Sequence, residues 1–319
     1  MNPWFQSFQQ RHTAAVVVLL VLALLAAPFL LALSLSIQLI ILSTAVVLFG
    51  LPHGALDLTL VQGASNGSWR TVASSSLVYL LGSAAVIVAW LDMPVPTLVS
   101  FLVIAIVHFG LGDTGELRGP QRALEVVARG GLSTVAPLLF QPQTTLALFA
   151  LLVGPESAGT LSATHNAMMP EAGWLWGACL GAAVLWRFIA RKPGWLPATS
   201  ELVLTAAVFA VLHPLVAFLI YFSFVHSVRH LAELGAARFP KSATRASRWL
   251  ILESLPFTAA TVLLAALGWF AFGRSVSFDE GLIRILFWGL SALTVPHMIL
   301  VGWWHARGES RPGDLFASK

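Results

Sequence analysis

The sequence predicts an all-α protein, a polytopic bundle of about 8–10 transmembrane helices. Of its 319 residues, 57% are hydrophobic and only 10% are charged, whereas a soluble domain carries roughly a quarter charged residues. Apolar runs of about 20 residues, the length that crosses a bilayer, recur along the chain. They lack the alternation of apolar and polar positions that barrel strands show, and lipid cannot satisfy backbone hydrogen bonds, so the runs must be helices.

The apolar runs divide the chain into ten predicted spans. No charge-rich segment, low-complexity linker or repeat interrupts them, so residues 1–319 are predicted to form one integral membrane domain. The first run is too long for a signal-peptide core and is interpreted as a retained span. Proline ends or kinks a helix, which predicts the breaks at Gln141-Pro142 and His213-Pro214. The spans lie at about 14–34, 36–56, 72–91, 95–112, 123–153 (broken near 141–142), 172–190, 199–213, 215–235, 250–272 and 282–304.

The positive charges predict the orientation of the spans. If the N-terminus lies inside, most of the 18 Lys and Arg residues fall in cytoplasmic segments, as the positive-inside rule requires. Both termini are therefore predicted to be cytoplasmic, and the protein is predicted to lie in the inner membrane of the cell. The net charge of +4 is spread over these loops and gives no indication of nucleic-acid binding.

Histidines are concentrated near one face of the predicted bundle. In this orientation, five of the nine lie in the cytoplasmic half of the membrane: His53, His108, His226, His230 and His297. His226 and His230 are four apart, so on a helix they share a face and lie about 5–6 Å apart. Polar groups inside a membrane are costly and usually functional, which favours a metal site over isolated hydrogen bonds between helices.

The other side chains narrow the chemistry of that site. The only cysteine, Cys179, lies within a span, so a thiolate cluster is excluded, and imidazole ligands suit iron, copper, zinc or nickel. Four imidazoles would leave open positions on Fe(II) for dioxygen or substrate. Asp57, Asp113 and Glu233 are predicted to orient the ligands through the second ring nitrogen, although each could simply lie at the headgroup boundary.

Aromatic residues beside the histidine pair suggest a place for an apolar substrate. Tyr221, Phe222 and Phe224 are predicted to bind a long apolar molecule, with lipid contact or helix packing as the alternative. Three other classes of protein remain open. They are a di-iron hydroxylase or desaturase, a haem-binding electron carrier, and a transporter with a proton relay. Di-iron enzymes of the first class resemble one another in having several histidine boxes, whereas this chain has a single pair with the HxxxH spacing. His12, His165, His213 and His305 are predicted to be structural.

Short motifs around the histidines resemble those of the Brp/Blh family of membrane β-carotene dioxygenases, which occur with microbial rhodopsins. The resemblance covers about residues 50–300, although 114–220 contributes no motif. The matching motifs are Pro52-His53-Gly54-Ala55-Leu56-Asp57, His108-Phe109-Gly110 with Asp113, His226-Ser227-Val228-Arg229-His230 and Pro296-His297.

The resemblance implies a metal, a reaction and a set of ligands. It implies that His53, His108, His226 and His230 bind Fe(II), with His297 in or near the site. It also implies that dioxygen cleaves β-carotene at its central double bond to give two molecules of retinal, which a microbial rhodopsin in the same membrane would receive.

Overall fold

The computed structural model of the protein describes residues 3–56, 69–115, 117–271 and 275–306. All regular structure in these ranges is helical, which confirms the all-α prediction. Two stretches, Val46–Gly50 and Ile220–Ser227, are π-helical. The α-helices are α1 (Pro3–Leu25), α2 (Ala27–Leu31), α3 (Leu35–Ala45), α4 (Leu51–Ala55), α5 (Trp69–Asp92), α6 (Pro94–Gly112), α7 (Gly119–Gly130), α8 (Val135–Phe140), α9 (Pro142–Val153), α10 (Ala158–Ala190), α11 (Trp195–Val211), α12 (Pro214–Leu219), α13 (Val228–Arg238), α14 (Ala243–Ala271) and α15 (Phe278–Ala306).

The chain is a multi-pass membrane protein, since seven stretches of helix within the described residues are long and apolar enough to cross a bilayer. Each overlaps one of the predicted spans. Shorter apolar helices, Leu35–Gly50, Pro142–Val153 and Trp195–Val211, overlap the three remaining ones. The seven are Trp4–Leu25, Val72–Asp92, Pro94–Gly112, Pro155–Ala190, Pro214–Arg238, Ala243–Ala271 and Phe278–Leu300.

Several predicted span boundaries are wrong. The span predicted at 14–34 is a helix from Pro3 to Leu25, and the one predicted at 250–272 begins at Ala243, because the polar residues before each apolar run are also helical. The stretch 123–153 is three helices, α7, α8 and α9, because the helix also ends at Gly130, before the predicted break at Pro142. The span predicted at 172–190 begins much earlier, at Ala158, because Pro170 is accommodated inside the helix. Hydropathy alone does not show that a helix ends at Gly130 or that Pro170 is accommodated inside one.

The backbone forms two compact units. The first consists of Met1–Gln9, Ser43–Asp92 and Ser227–Lys319, and the second of Gln10–Leu42 and Met93–His226. In the first unit, α5 packs along α15, where the Tyr79 hydroxyl donates to the Leu293 carbonyl at 2.9 Å and Trp90 Nε1 donates to Ser291 Oγ at 2.7 Å. Helix α4 contacts α13, α14 and α15 in the same unit.

In the second unit, α6 and α7 approach each other closely through two glycines. A Cβ atom at Gly110 would lie 2.2 Å from the carbonyl oxygen of Val126, and one at Gly130 would lie 2.0 Å from that of Ile106. Any larger side chain would push the two backbones apart. This crossing therefore requires glycine on both helices, and it sets the position of the C-terminal end of α6.

A cluster of buried charges joins α7, α10 and α11 in the second unit. Arg129 pairs with Glu125 at 3.3 Å and with Glu201 at 3.1 Å, and Arg187 also pairs with Glu125. All four side chains are at most 10% exposed. Each carboxylate of the cluster therefore has a buried arginine as its partner.

Candidate metal centre

His226 lies near the end of the second π-helical stretch, Ile220–Ser227, and is 1% exposed. A π-helix is rare and usually short, and it occurs frequently at functional sites. Its wider turn shifts the direction of each following side chain relative to an α-helix. The conformation of this stretch therefore determines where the imidazole of His226 points.

Asp113 links His226 to a tyrosine. It follows α6 directly, and its Oδ1 atom lies 3.0 Å from Nδ1 of His226, while its Oδ2 atom accepts a 2.8 Å hydrogen bond from the Tyr221 hydroxyl. The side chains of Asp113 and His226 are each 1% exposed. A carboxylate only accepts, so Nδ1 of His226 carries the hydrogen and the buried Nε2 atom is the one with the lone pair. Histidines that bind metals are commonly oriented by a carboxylate in this way.

His108 contributes a second imidazole beside the first. It lies on α6, and its ring centroid is 5.0 Å from that of His226. Two imidazoles at this separation, one of them oriented by a carboxylate, provide nitrogen donors of the kind that iron, copper or zinc accepts. Gly112 makes room for the ring of His226, because a Cβ atom there would lie 2.9 Å from its Cε1 atom.

Aromatic rings surround this pair of histidines within the second unit. Phe109 meets His226 edge to face at a centroid distance of 4.8 Å, and Phe222 stacks on it at 6.3 Å. Tyr221 is also near, at 6.4 Å, but its hydroxyl is directed to Asp113. Phe224 is half-buried, and its backbone carbonyl lies 2.8 Å from Nε2 of His12. Binding of substrate by Tyr221, Phe222 and Phe224 stays a prediction.

The other predicted site residues belong to the first unit. Helix α4, whose backbone includes His53, contacts α13, which carries His230 and Glu233, and α15, which carries the buried His297. The side chain of His53 and the whole of Asp57 lie outside the described residues. Among the side chains that the structure describes, no three His, Cys, Asp or Glu residues are grouped as metal ligands. The four-histidine ligand set therefore stays a prediction.

Three of the four histidines predicted to be structural have described side-chain contacts with backbone. His12 and His165 each place Nε2 near a carbonyl oxygen, at 2.8 Å from Phe224 and 3.3 Å from Leu138. His213 precedes α12, where its Nδ1 accepts a hydrogen bond from the amide of Leu215. The side chain of His305 is not described.

Sequence reasoning missed the buried charge cluster, the two π-helical stretches and the link from Asp113 to Tyr221. Glu125 and Arg129 stand four residues apart, a spacing typical of an ion pair on a helix, and this was the available signal for the cluster. The link from Asp113 to Tyr221 joins residues 108 apart in the chain, and no local pattern indicates it.

Comparison with known proteins gives one consistent result. A family model described as "Beta-carotene 15,15'-dioxygenase" matches residues 44–305. A protein of that name from uncultured marine bacterium 66A03 is 30% identical over 260 residues, which cover 80% of this chain and 90% of the relative.

Relatives from Halobacterium salinarum are similar over the same share of the chain. One, named "Probable beta-carotene 15,15'-dioxygenase Blh", is 29% identical over 283 residues, or 81% of each chain. Another, named "Probable beta-carotene 15,15'-dioxygenase Brp", is 26% identical over 296 residues, covering 81% of this chain and 80% of the relative. No solved structure gives a significant match.

Proposed function

Since the chain belongs to the β-carotene 15,15'-dioxygenase family, we propose that it cleaves the central double bond of β-carotene with dioxygen and yields two molecules of retinal. The family match over residues 44–305 carries this proposal. The relatives' names support the choice of substrate. The helical bundle is consistent with it, because a hydrocarbon polyene dissolves in the membrane and not in water.

We further propose that Fe(II) is the cofactor, with His53, His108, His226 and His230 as its ligands. The donors around His226 fit this metal, since imidazole is a good ligand for iron and the carboxylate of Asp113 orients the ring with Nε2 directed away from Asp113. When bound, iron would supply the redox chemistry that activates dioxygen. Asp57, Glu233 and His297 are proposed to support the ligands from neighbouring positions.

The chain's own side chains have two further tasks in the proposed reaction. Asp113 holds the hydrogen of His226 at Nδ1 and so keeps the ring in one tautomer and one orientation. The aromatic residues around His226 exclude water and provide flat apolar surfaces for a rigid polyene. Placing one double bond among many beside the reacting centre is a problem of positioning, so these rings would determine which bond is cleaved.

The cellular setting follows from the same proposal. β-Carotene reaches the site from the lipid, so a location in the inner cell membrane, with both termini cytoplasmic, suits a substrate that the membrane itself holds. A microbial rhodopsin in that membrane is the proposed recipient of retinal.

Expression in bacterial cells that accumulate β-carotene tests the proposed function. The wild-type protein is expected to bleach the orange cells and to produce retinal, identified by chromatography and mass. His226→Ala is the matched inactive variant and His165→Ala the control, because both remove a histidine from the second unit. Purified wild-type protein is expected to contain about one iron per chain and no haem absorbance, and His226→Ala to lose iron. Folded, iron-loaded protein that forms no retinal would exclude the proposed reaction.

A further inference from the structure

His12 makes a contact with the candidate metal centre that the sequence did not indicate. It lies on α1, outside the stretch that matches the family, and its Nε2 atom is 2.8 Å from the carbonyl oxygen of Phe224, 212 residues further along the chain. A carbonyl oxygen only accepts, so Nε2 of His12 donates this hydrogen bond. Both residues belong to the second unit.

The acceptor lies in the π-helical stretch that carries His226. Phe224 stands between Tyr221 and His226, the two residues of this stretch that Asp113 holds by their side chains. Asp113 therefore fixes the stretch by two side chains, and His12 fixes the backbone between them. In an apolar bundle, a hydrogen bond between helices is a directional contact that apolar packing does not provide.

A π-helix needs such support because its hydrogen-bond pattern is less favourable than that of an α-helix. π-Turns persist where neighbouring structure stabilises them, and a side chain that bonds to the helix backbone is one known cause of irregular helix geometry. If this stretch relaxed to an α-helix, His226 would turn by a large angle relative to the residues before it. The donor on α1 opposes that change at a point two residues before His226.

We propose that His12 is a positioning residue for His226: its hydrogen bond to the Phe224 carbonyl holds the π-helical stretch in the register that directs the His226 imidazole toward the metal. The proposal rests on the proposed function for the identity of the metal. The geometric part, that His12 determines the orientation of His226, does not depend on it.

Three variants of the full-length protein in detergent test this inference. His12→Ala removes the donor, His12→Gln replaces it with a side-chain amide, and His165→Ala is the control. His165 suits this purpose because its Nε2 also lies near a helix carbonyl of the second unit, that of Leu138, at 3.3 Å. Hydrogen exchange, followed by mass spectrometry, is measured on backbone amides of residues 220–230 and on the Cε1 hydrogen of His226. Fe(II) titration of the metal-free protein gives the dissociation constant.

In His12→Ala, the amides of 220–227 and the Cε1 hydrogen of His226 are expected to exchange at least threefold faster. The dissociation constant for Fe(II) is expected to rise about tenfold, as for loss of a residue that supports a metal ligand. His12→Gln should restore most of the protection from exchange and most of the Fe(II) affinity, and His165→Ala should change neither quantity. Exchange that is no faster than in the control would overturn the proposal, as would faster amide exchange with unchanged behaviour of His226. If the wild-type protein bound no Fe(II) while His12→Ala still altered His226, the proposed cofactor would be wrong and the positioning role would stand.

Discussion

In the second unit, the cluster of Glu125, Arg129, Arg187 and Glu201 pairs charge with charge. The cluster of His108, Asp113, Tyr221 and His226, in contrast, surrounds one carboxylate with donors from two different side chains. Both clusters are largely buried among apolar helices. They differ in what is left after pairing. The charges of two acids and two bases cancel in the first cluster, whereas the second orients imidazole nitrogens, a type of donor that can bind metals.

This difference indicates that the first cluster stabilises the fold, whereas the second is arranged for chemistry. A buried pair of opposite charges is costly to disturb, because each charge depends on its partner, and it has little capacity to bind anything else. A carboxylate that orients a histidine leaves the second ring nitrogen directed elsewhere. Burial and polarity alone therefore do not identify a functional site. The partner of each buried polar group indicates whether that group stabilises the fold or is available for chemistry.

Removing a charge from the first cluster is expected to have the largest effect. Glu125→Gln should lower the free energy of unfolding by about 3–5 kcal/mol, because Arg129 and Arg187 would remain buried with one carboxylate between them. Thermal or denaturant unfolding in detergent measures this free energy. Glu280→Gln is the control, since its pair with Arg284 is 22–24% exposed and should contribute no more than about 0.5 kcal/mol. Equal losses in the two variants would contradict the structural role of the cluster.

In the second cluster, Asp113→Asn should affect function more than stability. Tyr221 and His226 bond to different oxygens of Asp113, and asparagine replaces one of these with an NH2 group, so one of the two donors would face another donor. About a 10–100-fold loss of iron affinity or activity is expected. Iron titration and retinal formation measure it. The exposed Asp92→Asn changes the same charge at the end of α5 and should leave both unchanged. Full iron affinity in Asp113→Asn would remove the carboxylate from the proposed centre.

Filling the space beside His226 tests the geometry without altering charge. Gly112→Ala would place a Cβ atom 2.9 Å from Cε1 of His226, so the ring must move, at a cost of about 1–3 kcal/mol. Retinal formation is expected to fall about tenfold while the protein still unfolds in one transition. Gly177→Ala is the matched control, because no atom lies within 4 Å of the added Cβ atom there. Unchanged activity in Gly112→Ala would show that the His226 ring has room to move.

The smallest effect is expected from the tyrosine hydroxyl. Tyr221→Phe keeps the ring and removes the donor to Asp113, which should cost about 1 kcal/mol, or roughly fivefold in kcat, with KM for β-carotene unchanged. Tyr79→Phe is the control, since Tyr79 is the other of the two tyrosines and its hydroxyl donates to a backbone carbonyl. A rise in KM without a fall in kcat would instead assign Tyr221 to substrate binding.

The sequence was sufficient for the architecture because membrane insertion imposes a length and a composition on each helix. It indicated the histidines for the same reason, since polar residues stand out against apolar spans. It could not predict the π-helical stretches, because over five or eight residues a turn of 3.6 residues and a wider one do not give distinguishable patterns. It placed Asp113 near His108, five residues away, whereas the structure brings its carboxylate to His226, 113 residues further along the chain.

The C-terminal end of α6 concentrates several requirements in six consecutive residues. His108 and Phe109 contact His226, Gly110 permits the crossing with α7, Gly112 leaves space for the imidazole, and Asp113 follows as its hydrogen-bond partner. For protein engineering, this means that 108–113 should be the stretch least tolerant of substitution in a saturation library of the second unit. Efforts to change which carotenoid is cleaved should leave these residues intact and vary the aromatic positions of the π-helical stretch, Phe222 and Phe224, instead.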